Sequence, residues 1–382
     1  MANVSKKLLP IAIVAATAAT QAPAALADLN VDLRTFYFNR DFSEGSAPNR
    51  VALTQAIRVD YTNELTDRIA IGASLFANAK LDGHGDDQST GLLTSNSNSY
   101  AKLGQIFADV KLAENASVRL GRWVVNTPLL NDSDSRATPS STQAVKLSGN
   151  VADVDLYALY SDRASAKTDA SFEKYGTDSD GLVLIGGGTK LDNGISLHAA
   201  YGESDNFLSQ AYFNAAYTTD QLLVDFHHYD SEGEGSNTQD ATLTNLAAQY
   251  SFGNLALTGS FQTVGGDTAY GYTWGGNDDN GLVTWNAVQI MDFNNKDEDS
   301  FQIRADYAFA DIQGLKAMIR HTWGEYDNGG TDVDEAETNA ELKYTLQSGE
   351  LTGLSLRMRL SHVEADAYND INEVRLIANY SF

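Results

Sequence analysis

Arginine and lysine recur at alternate positions in several segments of this chain, and that spacing is where its chemistry begins. In Leu354-Ser355-Leu356-Arg357-Met358-Arg359-Leu360 an extended strand would carry Arg357 and Arg359 on one face and Leu356, Met358 and Leu360 on the other. The same phase places Arg58, Arg119, Arg304, Arg320, Lys343 and Arg375, together with Arg34 and Lys316, on polar faces that oppose apolar ones. A guanidinium presents a fixed fork of donors suited to carboxylates, and rings of Arg and Lys select anions in pores. The chemistry on offer is anion recognition. The alternative is that each arginine pairs with an acid on the same face, such as Asp32, Asp60, Asp306 or Glu373, and serves only to hold a wall together.

No catalytic, cofactor or metal site stands out. G-x-S-x-G and H-E-x-x-H are absent. Gly186-Gly187-Gly188-Thr189-Lys190 lacks the spacing of a phosphate loop. His227 and His228 point to opposite faces of a strand and cannot chelate one metal. His198, His321 and His362 have no evident serine and acid partners, which leaves an embedded hydrolase unsupported. The chain has no cysteine, so thiolate metal sites and disulfides are excluded.

The elements that carry these residues are strands. Val374, Leu376, Ala378, Tyr380 and Phe382 share one face of the final segment, opposite Glu373, Arg375, Ile377, Asn379 and Ser381. Phe301, Ile303, Ala305, Tyr307 and Phe309 alternate in the same way with Gln302, Arg304 and Asp306. Helical periodicity is nowhere sustained. Connections alternate in length. Short turns fall at 63–66, 114–115, 191–194, 218–221, 252–254 and around Gly349. Long ones fall at 39–49, 80–98, 126–141, 162–180, 230–240, 265–298, 325–335 and 364–371, and the connection near Gly202 to Asn206 is the one on the long side that is short. A soluble sandwich has no reason to sort loops by parity. A membrane barrel does, with short periplasmic turns and long extracellular loops. The reading is an all-β fold: one transmembrane antiparallel β-barrel of about 18 strands, with the apolar faces outward. Burying the arginines in lipid instead would cost ~2–4 kcal/mol each near the midplane.

Residues 1–27 read as a cleaved secretory signal peptide, with Lys6 and Lys7 before an apolar run and Ala25-Leu26-Ala27 as the cleavage site. Residues 28–382 then form the barrel, exported to a bacterial outer membrane among its lipid and lipopolysaccharide. The net charge of −25 disfavours nucleic acid as a partner. Its acids gather in the long loops, at Asp86-Asp87, Asp132, Asp134, Asp278-Asp279 and Asp297 to Asp299. The loop 126–141 is stiffened by Pro128 and Pro139; folded into the lumen, it would bring Arg136 to a constriction. Aromatics are few on the inward faces, chiefly Phe36 and Trp123. Tyr270, Tyr272 and Trp274 offer a loop track on which sugars could stack.

Three stretches resemble the OprD family of substrate-specific outer-membrane porins. They are Leu120-Gly121-Arg122 with Pro128 to Ser140, Val283 to Phe293 with Asp299 to Tyr307, and Leu354 to Arg359 with Asn372 to Ile377. The resemblance implies an 18-stranded barrel and a constriction shaped by the third and seventh extracellular loops, about 126–141 and 265–298, with Asp132, Asp134, Arg136, Pro139 and Asp292 among the constriction residues. It also implies a basic ladder that leads small carboxylate-bearing solutes inward, anionic or zwitterionic, such as amino acids and organic or aromatic acids. Arg136, Arg357, Arg359 and Arg375 match family positions. The family also contains chitooligosaccharide channels, so a sugar channel stands as the alternative, ahead of a barrel enzyme or a non-conducting structural barrel. The assembly would be a monomer or a trimer. Loop parity makes a direct prediction: a protease tag inserted within 231–239 is cleaved on intact cells and one at 192–194 is not. Cleavage of both would refute the sidedness.

Overall fold

The computed structural model describes residues 27–43, 47–83, 89–175, 181–275, 278–367 and 370–382. Residues 1–26 of the expected signal peptide and the acidic pair Asp86-Asp87 lie outside the described residues.

Eighteen antiparallel strands form a closed barrel. They are β1 (Ala27–Phe42), β2 (Arg50–Thr66), β3 (Ile69–Gly83), β4 (Tyr100–Ala113), β5 (Ala116–Trp123), β6 (Ser141–Val151) and β7 (Val154–Ser165), followed, after a two-residue rim strand β8 (Glu173–Lys174), by β9 (Leu182–Lys190), β10 (Ile195–Ser204), β11 (Leu208–Thr218), β12 (Leu222–Gly233), β13 (Asp240–Phe252), β14 (Leu255–Gly266), β15 (Asp299–Ala308), β16 (Leu315–Asp327), β17 (Asp332–Thr345), β18 (Ser355–Ala365) and β19 (Ile371–Ser381). Each strand pairs with its sequence neighbour, and β7 passes directly to β9. Closure comes from β1, which pairs with β2 on one side and β19 on the other. Val31 and Phe382 exchange both backbone hydrogen bonds at the seam, at 2.9 and 3.0 Å. Hydrocarbon offers no partner to a backbone amide, so a sheet that crosses it must close.

The outer face is apolar along its length. Leu75, Ile106, Leu120, Val145, Ile185, Leu246, Ile303, Ile319 and Leu356 are all exposed. A continuous apolar belt of this kind is foreign to soluble surfaces and matches lipid. Aromatic pairs sit near the short-turn rim, Tyr250 with Phe252, Tyr307 with Phe309 and Tyr380 with Phe382. Phe261, Phe301 and Trp323 stack nearer the opposite rim. These are the two interfacial girdles of such a barrel.

The expected strand boundaries shift at several ends. Residues 63–66 belong to β2, and the turn is Asp67-Arg68. β12 runs to Gly233, which narrows the expected loop to 234–239. The connection 346–354 on the short-turn rim is longer than 205–207, 328–331 or 366–370 on the other. Four loops, 84–99, 124–140, 166–181 and 267–298, carry most of the length contrast between the rims.

The third loop (124–140) and the seventh (267–298) fold inward and meet. Asp132 and Asn280 form an isolated β-bridge. Asn131 N–H donates to Asn280 Oδ1 at 2.6 Å, and Gly281 N–H donates to Asn131 O at 3.0 Å. The Trp274 indole donates to Leu129 O at 2.6 Å. Leu129, Leu130, Tyr270 and Trp274 pack with Tyr175, Leu182, Leu208, Tyr212, Tyr229 and Leu243 into the largest apolar cluster of the molecule. Two wall glycines make room for the seventh loop. A Cβ on Gly202 would stand 2.8 Å from the Trp274 ring, and one on Gly324 would stand 2.6 Å from the Glu298 carboxylate and 3.0 Å from Phe293.

Asp132 lies at the centre of this clasp. It accepts from Val125 N–H at 2.7 Å and from the Thr142 hydroxyl at 3.2 Å. Burial nevertheless pushes its carboxyl up to about 7. A raised folded-state value means that the fold favours the protonated form. Its stabilisation is complete below the ordinary carboxylate value of about 4 and is lost as pH rises through 7. Proteolysis within 124–140 should therefore accelerate between about pH 4 and 7 and level off above that, by at most about tenfold per pH unit for one linked proton. Asp132→Asn should flatten that profile. An equally steep profile in the variant would assign the dependence elsewhere.

Candidate functional site

Strand pairing assembles the basic residues into rows across the inner face. In one row Arg304 lies opposite Arg320, and the row continues through Asn339 and Ser361 to Glu373 and Arg40. In the next, Glu341 lies opposite Arg359, which lies opposite Arg375. In a third, Lys316, Lys343 and Arg357 stand side by side. Across the lumen, Arg119 opposes Lys146. Like charges directly opposite on one face are destabilising, at ~1–3 kcal/mol per pair for effective dielectrics of roughly 20–40. The rows nonetheless bring them together repeatedly, and the first ends on a further such pair, Arg40 opposite Arg50 of β2.

Many of these cations have acid partners. Arg58 Nε is 2.6 Å from Asp60. Arg119 and Asp109 form a two-pronged pair at 2.7 Å, as do Arg304 and Asp306 at 2.7 and 2.8 Å. Arg34 pairs with Asp134 of the third loop at 2.7 Å. Arg40 and Arg375 both bind Glu373. Compensation is incomplete on β16 to β18. Arg357 and Arg359 share the single carboxylate of Glu341, at 2.5 and 3.3 Å. Arg320 has a neutral acceptor, Asn339 Oδ1, at 2.6 Å. Lys343 is exposed between two other cations.

The third loop delivers Arg136 to the head of these rows. Its guanidinium lies 5.5 Å from the Phe38 ring centre, where Arg375 lies at 5.7 Å and Arg40 at 5.6 Å. Three guanidiniums around one ring gain cation–π attraction while repelling one another. Arg136 donates only to backbone oxygens, Thr90 O and Ser135 O, both at 3.1 Å. Burial first, and the nearby Arg375 second, push it down to about 9, so it keeps its proton at neutral pH. A polar cavity of about 260 Å³ opens beside the loop, lined by Arg34, Arg58, Asp134, Thr138, Pro139 and Asn379. Asp292 in the seventh loop accepts from the Tyr272 hydroxyl at 2.7 Å, and burial raises its carboxyl.

Arg136, Arg320, Arg357, Arg359 and Arg375 thus converge on one wall, with Arg304 and Lys343 alongside. Arg58 lies beside them on the loop-facing side, and Arg119 stands apart with Lys146. The expectation of few inward aromatics does not hold. Phe38, Phe76, Tyr157, Tyr212 and Tyr229 also face inward, several of them beneath the loops. The readable signal was apolarity on both faces, as in Leu182-Val183-Leu184-Ile185, where the inward leucines meet folded-in loop rather than water. Of the loop track, Tyr270 and Trp274 are fully buried. Glu337 and Glu341, which alternate with Ala336, Thr338, Ala340 and Leu342, were open to the period-two reading but not singled out. At the rim, Glu203, Asp205 and Glu234 form an acidic group.

The chain's relatives agree with this architecture. A profile described as outer membrane porin, OprD family, matches residues 26–382. Porin D of Pseudomonas aeruginosa is 29% identical over 92% of this chain and 90% of its own length. Among solved structures, Pseudomonas aeruginosa OpdQ superposes with a TM-score of 0.81 at 27% identity, covering 93% of this chain and 97% of that one. Pseudomonas aeruginosa OccK9 (OpdG) superposes at 0.85 and 23% identity, covering 93% and 98%. Acinetobacter baumannii OccAB3 superposes at 0.83 and 23%, covering 93% and 99%. The closed barrel, its inward-folded loops and a profile match that spans almost the whole chain establish that the protein belongs to the OprD family of outer-membrane porins.

Proposed function

We propose that this porin passes small carboxylate-bearing solutes by diffusion, guided by the cation rows on β15 to β19. The observation that carries this reading is the direct opposition of like charges, Arg304 with Arg320, Arg359 with Arg375, and Lys316 with Lys343 and Arg357. A wall built only for strength would alternate signs along each row. The excess positive charge on β16 to β18 is instead relieved whenever an anion passes. A carboxylate gains ~1 kcal/mol or more per contact in a partly screened pore, and a neutral sugar does not. The sugar alternative would need an aromatic surface, and burial removes Tyr270 and Trp274 from the path. The solutes best suited are amino acids and small organic or aromatic acids, whose carboxylate can step between neighbouring guanidiniums.

Arg357→Ala with Arg359→Ala tests this. Both side chains face the lumen, so truncation leaves no apolar void, and Glu341 is left uncompensated. The reversal potential in a salt gradient should move towards cations, with the permeability ratio changing several-fold. Liposome swelling should rank benzoate and arginine above glucose and chitobiose in the native channel. An unmoved reversal potential would make the rows structural, and faster swelling with chitobiose would favour the sugar channel.

A further inference from the structure

Glu337 projects from the inner face of β17 and is fully buried. A buried carboxylate is costly unless its oxygens are saturated with donors, and these are. Ser361 Oγ donates at 2.8 Å and Asn339 Nδ2 at 2.6 Å, both from the wall. The remaining donors belong to the seventh loop: Ile290 N–H at 3.1 Å and Met291 N–H at 2.8 Å. Two strands away on β19, Glu373 accepts from Gln289 Nε2 at 3.0 Å, and Arg375 Nη2 donates to Gln289 O at 3.2 Å. Residues 289–291 are therefore strapped from β17 to β19 across the inner face of β18. The pairing register places the strap at the level of Ser361 and Val363. The row of Glu341, Arg359 and Arg375 is one step further into the barrel, and Lys343 with Arg357 follows. Met291 and Phe293 pack against Val363 and Ile371 beside it.

We infer that Glu337 is a positioning residue for selectivity: by fixing the backbone of residues 290–291 over β18, it sets the aperture through which solutes reach the cation rows. The reason for a carboxylate is geometric. Apolar packing of Met291 holds a side chain, but it does not orient two successive amides. A carboxylate accepts both and ties them to Asn339, whose own oxygen holds Arg320. One chain of hydrogen bonds thus couples the strap to the basic wall. The strap covers this acid, and Arg320 and Arg375 stand near enough to offset its charge. Networks of this kind are worth most when every member is satisfied and lose most when one is removed.

The test is Glu337→Ala in planar bilayers, with heat-modifiable gel mobility reporting that the barrel is folded. Freed from two anchoring acceptors, the strap should lift. Single-channel conductance should rise roughly twofold, and liposomes should admit larger solutes. The reversal potential should change little, since Arg357, Arg359 and Lys343 remain, which separates this proposal from the carboxylate reading. The protein has no native cysteine, so Met291→Cys with Val363→Cys can tether the strap. In the Glu337→Ala background the oxidised tether should return conductance to the native value, and reductant should release it. Glu337→Gln keeps one acceptor but turns an amide towards Asn339, so it should fall between the two; it also replaces the alanine variant, with the same tether, if that variant does not fold. Native conductance in folded Glu337→Ala or Glu337→Gln channels, or an opened channel that the tether does not narrow, overturns the proposal.

Discussion

A strand that crosses hydrocarbon can leave no backbone amide or carbonyl unpaired, and every other feature of this molecule follows from that constraint. It forces the sheet to close, and the seam of β1 with β19 closes it. Closure fixes which face of every strand is inside. Because side chains alternate strictly, one residue of slip would place the arginines of β15 to β19 in lipid and the leucines in the lumen. Register is therefore held by a large energy difference per strand. The same register places Arg304 opposite Arg320 and Arg359 opposite Arg375. Closure and sequence phase turn the cations inward, and the register of each hairpin sets which cation meets which.

Loops then divide the interior that closure leaves open. On β7 to β13 the inward face near the long-loop rim is apolar, and the third and seventh loops fill the space against it with Leu129, Leu130, Tyr270 and Trp274. On β15 to β19 and the adjoining β1 the inward face is charged, and beside the small Met291–Phe293 cluster the loops are held by hydrogen bonds and ion pairs: Glu337 and Glu373 to residues 289–291, and Arg34 to Asp134. One side of the lumen is a packed core and the other is a polar wall. On the carboxylate reading proposed above, this asymmetry would direct a solute along the basic side, past guanidiniums for much of its passage.

The alternation at the C-terminus and in 301–309 was enough to read a barrel and to place Arg357, Arg359 and Arg375 on one face, because a period of two survives wherever one side meets lipid. It fails where both sides are dry. Leu182 and Leu184 face inward yet are apolar, and sequence phase alone could not show that Leu129 and Trp274 come to cover them. Strand ends were misplaced at 63–66 and 231–233 for a related reason: polar residues at a rim continue the hydrogen-bond ladder beyond the membrane without changing composition. The rows of like charge were also beyond sequence reading. Each arginine was visible, but which cation lies opposite which depends on register, and register is set by turn geometry and by bulges such as that at Ser74 and Leu75. Glu337 was overlooked because an acid among alternating residues reads as one more lumen-facing charge, and its partners lie some forty-six residues away in sequence.

The placement of acids separates two roles that charge plays in one pore. Asp60, Asp109 and Asp306 each neutralise one arginine on the wall, which keeps the barrel's self-repulsion tolerable. Glu341 serves two arginines and leaves one positive charge over. Glu337 neutralises no guanidinium directly and is spent on loop amides. On the carboxylate reading proposed above, an anion moving inward would pass beneath a strap held by a concealed carboxylate, then reach a row with excess positive charge, then Lys343 and Lys316. On that reading, attraction would increase past the strap rather than at it. A solute caught at the constriction by the strongest site would block the channel, whereas weaker, multiple sites beyond it favour continued passage. On the proposed reading, the distribution of three glutamates on β17 and β19, rather than the number of arginines, would let a basic wall conduct instead of bind.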